Sequence, residues 1–317
     1  MMSLQGKRVW VAGHRGMVGA ALMRRLQSED CALLTAGRAE LDLRRQAETE
    51  AWIERMRPEV IFLAAAKVGG ILANASLPAD FLYDNLAIEA NVVHAAARAG
   101  VGKLVLLGSS CIYPREAAQP IGENQLLSGP LEPTNEWYAI AKIAGLKLVQ
   151  AYRRQHGCDF IAAMPCNLYG PHDNFDLASS HVLAAFIRRV HDAKLRGAPS
   201  IEIWGSGTPR REFLHVDDCA DALVRLAKDY SDERPINIGA GRDITILELL
   251  EAVKRVIGYA GATTHDLGKP DGTPRKLMDS SRIAAFGWRP RIGLEEGLAE
   301  TYAWYLAQEG RTKAAKP

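Results

Sequence analysis

The sequence predicts an α/β protein built as a doubly wound parallel sheet with a second, smaller α/β lobe. Three observations point there. Short apolar runs alternate with helix-like stretches through the first half of the 317 residues. The runs lack an in-out alternation, as expected of strands covered on both faces. A glycine-rich turn joins the first run to the first helical stretch.

The elements follow in order. Residues 8–12 read as a strand, 17–27 as a helix and 33–36 as a second strand. A helix over 46–56 ends ahead of Pro58, because proline cannot continue it. Residues 60–65 form a third strand, and a long helix over 81–99 stops at Gly100. A fourth strand over 104–108, a helix over 135–156 closed by Gly157, and a fifth strand over 160–164 complete the pattern. Strand-helix-strand repetition implies right-handed parallel crossovers.

Residues 166–214 are looser and richer in Gly, Pro and Asn, with one helix near 181–194. A helix over 217–228 and a strand over 236–238 are expected to return to the first sheet. Helices over 246–256 and 295–308 belong to the smaller lobe, and 312–317 to a frayed tail. The expected division is 1–165 plus about 213–238 for the dinucleotide lobe, and 166–212 plus 239–317 for the substrate lobe.

Composition narrows the function class. Hydrophobic residues make up 48% and charged residues 24%, and 39 basic against 37 acidic side chains leave a net charge of +2. No bulk field draws nucleic acid to such a chain, and Pro209-Arg210-Arg211-Glu212-Phe213 is too short a basic run to change that. No run approaches the roughly 18 apolar residues of a membrane span. The first residues lead into a strand rather than a basic and apolar leader. Cys31, Cys111, Cys158, Cys166 and Cys219 are scattered and show no metal-knuckle spacing. A cytoplasmic protein with reduced thiols, and with neither a metal nor a membrane as partner, is expected.

The turn Gly13-His14-Arg15-Gly16-Met17-Val18-Gly19 lies between strand and helix. Its glycines permit a tight turn and let the backbone approach a pyrophosphate held at the helix N-terminus. This is the Rossmann arrangement for a dinucleotide. Cofactor choice turns on charge: Arg15 inside the loop and Arg38 after the second strand suit a ribose 2′-phosphate, which favours NADP(H).

Tyr138 and Lys142 lie four apart on a helix and so share one face. An ammonium lowers a nearby phenol's pKa, and the phenol can pass its proton to an alkoxide formed as hydride arrives. Ser109 directly follows the fourth strand in Leu107-Gly108-Ser109-Ser110, at the sheet edge where ligands bind. Glycine loop, Ser109, Tyr138 and Lys142, in that chain order, resemble the extended short-chain dehydrogenase/reductase family.

Longer strings sharpen the resemblance: Lys67-Val68-Gly69-Gly70, Gly108-Ser109-Ser110-Cys111-Ile112-Tyr113-Pro114, Glu132-Pro133-Thr134-Asn135-Glu136, and Asn167-Leu168-Tyr169-Gly170-Pro171-His172-Asp173-Asn174-Phe175. They are similar to the members of that family that act on a GDP-linked 4-keto-6-deoxy sugar. The resemblance implies epimerisation at C3 and C5 followed by NADPH-dependent reduction of the C4 ketone. It implies Cys111 as base and His181 as acid of the epimerisation. Leu107, Gly108, Asn167, Leu168 and His181 would line the cofactor, and Arg189, Trp204, Arg211 and Asp271 the nucleotide sugar. A homodimer formed through the two long Ala- and Leu-rich helices is expected on the same ground. Two other readings stand beside this one. A nucleotide-sugar 4-epimerase or dehydratase that recycles its NAD is opposed by Arg38 and by the Cys111/His181 pair. A non-catalytic cofactor sensor is opposed by the presence of Ser109, Tyr138 and Lys142 together.

Overall fold

The computed structural model describes residues 2–269 and 271–314. The elements are β1 (Arg8–Ala12), α1 (Met17–Leu26), β2 (Ala32–Leu34), α2 (Gln46–Met56), β3 (Val60–Leu63), α3 (Ile71–Ser76), α4 (Pro78–Arg98), β4 (Lys103–Leu107), α5 (Glu136–His156), β5 (Phe160–Pro165) and β6 (Asn167–Tyr169). They continue as α6 (Val182–Leu195), β7 (Ser200–Trp204), β8 (Arg210–His215), α7 (Val216–Asp229), β9 (Ile236–Ile238), β10 (Asp243–Thr245), α8 (Ile246–Ile257), β11 (Ala262–Asp266), β12 (Arg275–Lys276), α9 (Ser281–Ala285) and α10 (Leu294–Ala314).

The main sheet has six strands in the order β2-β1-β3-β4-β5-β9, and every pairing in it is parallel. The chain steps from β1 to β2 in one direction and then back across to β3. Right-handed crossovers therefore put α1 and α2 on opposite faces. Accordingly α1 packs with α7, while α2, α4 and α5 pack in a row. With both faces covered, β3, β4 and β5 are buried at every position. The reversal between β1 and β3 opens a crevice at the carboxyl ends of the strands, where ligands bind in such sheets.

The smaller lobe is made of short strands. β8 pairs with β6, β10 and β12 in one sheet, and β7 pairs with β11. A second apolar cluster, including Leu183, Phe186, Val190, Ile203, Leu249, Val253 and Leu298, lies under them. Helix ends follow local chemistry: Thr245 and Glu248 form a reciprocal cap on α8, and Gly157 and Gly258 close α5 and α8 at φ 68° and 72°.

Several sequence expectations are corrected. β2 is shorter and begins one residue earlier, and α1 gives way to a 3-10 turn at Gln27–Glu29. α3 precedes the long helix, which itself starts at Pro78, a residue suited to a first helical turn. The loose stretch 166–214 contains β6, β7 and most of β8, and β8 leads directly into α7. Met278, Ile283 and Trp288 pack into the first cluster, although they follow the smaller lobe's strands in sequence. In the expected tail, 312–314 continue α10; 315–317 lie outside the described residues. No helix among the described residues is long and apolar enough to cross a membrane.

Candidate active site

β1 delivers the chain into the glycine turn at Gly13, whose φ is 89°. A Cβ there would stand 2.7 Å from the Ala65 nitrogen after β3. A Cβ on Gly19 would collide with the Gly13 carbonyl, so α1 can approach the turn only with glycine at 19. Gly16 caps α1 with no side chain over the helix end, and no acidic residue occupies the first turn. No side chain or carboxylate therefore competes with a pyrophosphate for the N–H groups and positive dipole end of α1. Arg15 reaches over Gly37, where an added Cβ would lie 3.3 Å from its guanidinium, and so stands beside exposed Arg38. These features fit a dinucleotide with a phosphate near its ribose.

The second group forms where β4 ends. Gly108 lies against the Met164 side chain, which leaves no room for a Cβ. Ser109 then caps a 3-10 turn (Ser110–Ile112), accepting the Cys111 N–H at 3.2 Å. Ser109 is also a hydrogen-bonding neighbour of Tyr138, and burial raises the Tyr138 phenol above its usual range against the pull of Lys142. The Lys142 ammonium stands 5.8 Å from the Tyr138 ring centroid. It donates to the Leu107 carbonyl at 2.9 Å and to Glu89 Oε1 at 2.8 Å. Glu89 comes from the middle of α4 and is buried.

A third group surrounds Cys111. Asn135, at the head of α5, donates from Nδ2 to its sulfur at 3.2 Å. Lys276, carried by β12 from the smaller lobe, places its ammonium 3.7 Å from the same sulfur. His181 sits at the N-terminus of α6 with φ −78°. Burial lowers its pKa, and the charge of Lys276 lowers it further. Asn85 holds the Lys67 backbone by two hydrogen bonds of 2.9 and 3.0 Å. The same loop brings Gly70 against the chain ahead of His181: the Gly70 N–H donates to Ser179 O at 2.8 Å, and a Cβ there would be 2.6 Å from Ser180 O.

The residues expected to meet the nucleotide sugar lie farther out. Arg189, on α6, donates to the Glu202 carbonyl of β7, and Trp204, 54% exposed, ends that strand with Lys269 5.5 Å above its ring. Asp271 accepts from the Ser206 N–H at 2.7 Å and from its hydroxyl at 2.9 Å, and so shapes the loop after Trp204. Gly272 then passes Arg211, and Thr273 donates to Glu132 at 3.1 Å, joining this loop to the segment ahead of Tyr138. Burial lowers the Arg211 pKa, with Glu132 opposing. Asn167 is tied to β8 through the Glu212 carbonyl at 2.8 Å, beside Leu168 in β6. The structure brings Ser109, Tyr138 and Lys142 together as neighbours and adds Glu89, Asn135 and Lys276, which the sequence did not single out. An acid one helical turn from Val92 and Val93 was the available signal for Glu89; no local signal marks Lys276.

One group outside this cleft has donor atoms within 4.8 Å of one another: His215, Asp217 and Glu300. Part of it is engaged: His215 Nδ1 accepts the Asp217 N–H at 3.3 Å and Asp217 pairs with Arg24, while buried His215 Nε2 lies 3.8 Å from Glu300 with no hydrogen-bond partner among the described residues.

Fold and cleft together define a class, the Rossmann-fold enzymes that work with a nicotinamide dinucleotide. The sequence profile of the NAD dependent epimerase/dehydratase family matches residues 9–239, and the chain belongs to that family. It is 58% identical over 307 residues to a GDP-L-fucose synthase of Sinorhizobium fredii, covering 97% of this chain and 98% of that protein. It is 51% identical to the GDP-L-fucose synthase of Escherichia coli, covering 96% and 98%. A solved GDP-L-fucose synthetase from Naegleria fowleri bound to NADP superposes with a TM-score of 0.90 at 26% identity, covering 98% of this chain and 97% of that one.

Proposed function

We propose that this protein converts GDP-4-keto-6-deoxy-D-mannose to GDP-L-fucose in the cytoplasm, inverting C3 and C5 and then reducing the C4 ketone with NADPH. One observation carries the reading. The Ser109–Tyr138–Lys142 group opens onto the same cleft as Cys111, whose sulfur has an amide and an ammonium beside it. That pairing suits a site that first takes a proton from carbon and later gives one to oxygen.

The order follows from carbonyl chemistry. The C3 and C5 hydrogens are acidic only while the C4 ketone can hold the resulting enolate, so epimerisation precedes reduction. Cys111 takes the proton on one face of the sugar and His181 returns one on the other. Asn135 and Lys276 are suited to balance charge at the sulfur. Ser109 and Tyr138 hold the C4 oxygen in the enolate and again in the alkoxide. When bound, the reduced nicotinamide supplies the hydride to C4, and Tyr138 gives its proton to the oxygen. Arg15 and Arg38 hold the 2′-phosphate of NADP(H). Gly13, Gly16, Met17, Val18 and Gly19 cradle the pyrophosphate, and Leu107, Gly108, Asn167, Leu168 and His181 border the nicotinamide side. Arg189 and Arg211 take the sugar nucleotide's diphosphate, with Trp204 and Asp271 at its nucleoside end.

A homodimer through α4 and α5 belongs to the same reading; Tyr83 and Ile140, one on each helix, are exposed apolar side chains there. The five free thiols suit a reducing compartment.

The test is incubation with the keto-sugar nucleotide and NADPH in deuterated water. The expected product is GDP-L-fucose labelled at C3 and C5, with NADPH consumed in step. Cys111→Ser should slow exchange by at least about 100-fold while NADPH still binds. Tyr138→Phe should keep the exchange and lose most hydride transfer. A product unlabelled at both carbons, or full exchange in Cys111→Ser, would overturn the assignment.

A further inference from the structure

The reducing centre contains a buried acid for which the chemistry above has no use. Glu89 and Lys142 have side chains 2% and 3% exposed and meet at 2.8 Å. Removing two charges from water is costly and needs a compensating role or a full set of hydrogen bonds. Glu89 lacks the full set: Oε2 is buried with no hydrogen-bond partner among the described residues. The fold nevertheless makes space for it. Gly145 lies opposite on α5, and a Cβ there would collide with the carboxylate. The close approach of α4 and α5 is thus arranged around a charge.

We propose that Glu89 is a positioning residue that balances the charge of Lys142 and thereby sets the reducing centre to give a proton rather than take one. The inference rests on the reading of Tyr138 as the proton donor. A bare ammonium beside a phenol favours the phenolate, which suits a centre that oxidises alcohols. A reductase needs the phenol. With a carboxylate in contact, the ammonium presents a dipole to Tyr138 instead of a net charge, while Lys142 stays pinned between Glu89 and the Leu107 carbonyl.

The other groups facing Tyr138 are consistent with this balance. Ser109 and Cys111 approach from the turn after β4, and Lys276, beside Cys111, from β12, with His181 beyond it. Burial raises the Tyr138 phenol; Lys142 opposes, and Cys111 and Glu89 add to the rise. For Lys142, burial favours loss of the proton, and Glu89 together with Tyr138 more than reverses that, so the ammonium is kept; burial also raises the Glu89 carboxyl, with Lys142 opposing.

The experiment titrates Tyr138 by tyrosinate absorbance in the full-length protein without cofactor, taking Tyr138→Phe as the blank. Glu89→Gln keeps the shape and one acceptor oxygen but removes the charge. Tyr138 should then ionise about one pH unit lower or more, and hydride transfer should fail at correspondingly lower pH. A second comparison covers misfolding of that variant. Glu89→Leu with Lys142→Met replaces the pair by apolar groups, a change that buried pairs commonly tolerate. It should return Tyr138 to within about half a pH unit of the parent, below Lys142→Met alone. Identical titration of Glu89→Gln and parent, or of the double variant and Lys142→Met, overturns the proposal. Hydride transfer undiminished in Tyr138→Phe would instead sink the reading of Tyr138 on which it stands.

Discussion

On the proposed reading, Arg15 and Arg38 carry a choice of cofactor that the fold leaves open. Both are exposed at the ends of β1 and β2, and neither has an ion-pair partner among the described residues. Surface guanidinium groups that form no ion pair are available to a phosphate, and a bidentate contact is worth more than a simple charge. Replacing both by alanine should reduce the preference for NADPH over NADH at least about tenfold, or ~1.4 kcal/mol. Direct binding titrations with the two cofactors measure it; an unchanged ratio would assign selectivity elsewhere. At this scale the sequence was legible where neighbours are close in the chain, as with Tyr138 and Lys142. It was not legible where the partner is remote: Lys276 lies 165 positions from Cys111, and Glu89 lies 53 from Lys142. No period or motif links such residues; only the crossovers of the sheet do.

Among the elements, β1, α1 and the turn between them form the most constrained unit. The Gly19 position is closed by the Gly13 carbonyl, so Gly19→Ala must push α1 away from the turn or distort it. Either movement displaces the N–H groups that a pyrophosphate needs, and dinucleotide binding should weaken at least about tenfold. Calorimetry on the purified variant would show it, and parent-like affinity would mean that the turn is less rigid than its geometry implies. Strands of the main sheet could be read from sequence because burial on both faces makes them continuous apolar runs. The smaller lobe hid its strands for the opposite reason. β7 alternates buried Ile201 and Ile203 with open Glu202 and Trp204, and β12 is two residues long. Such pieces are defined by their pairing partners more than by their own composition.

For the molecule as a whole, Glu212 is one point where the lobes are fastened. It lies in β8, fully buried, and accepts the Gly241 N–H at 2.7 Å and the Met278 N–H at 3.0 Å, one on each oxygen. It thereby ties the small sheet to the chain leaving β9 and to a residue of the first apolar cluster. Burial pushes its carboxyl from 4.5 up to about 7, against those two donors. The folded protein thus holds this proton more tightly than the unfolded chain does. The stability that the group contributes is complete below the unfolded value and is lost as pH rises through about 7. Glu212→Gln is neutral throughout. The stability of the parent relative to this variant should therefore fall by up to ~3 kcal/mol between about pH 5 and about pH 8. Urea unfolding of the two proteins across that range tests the point, and a constant difference would refute it.

The pairing of β12 with β8 reaches beyond stability. It sets Lys276 level with Arg211 on adjacent strands, so one ribbon bears both the ammonium next to the sulfur and the guanidinium that the proposed function gives to the diphosphate. A nucleotide gripped at its phosphates would tension the same ribbon that sets an ammonium beside Cys111. The tail of the substrate, far from any bond that changes, would then help ready the base, and a sugar stripped of its nucleotide would lose turnover as well as affinity.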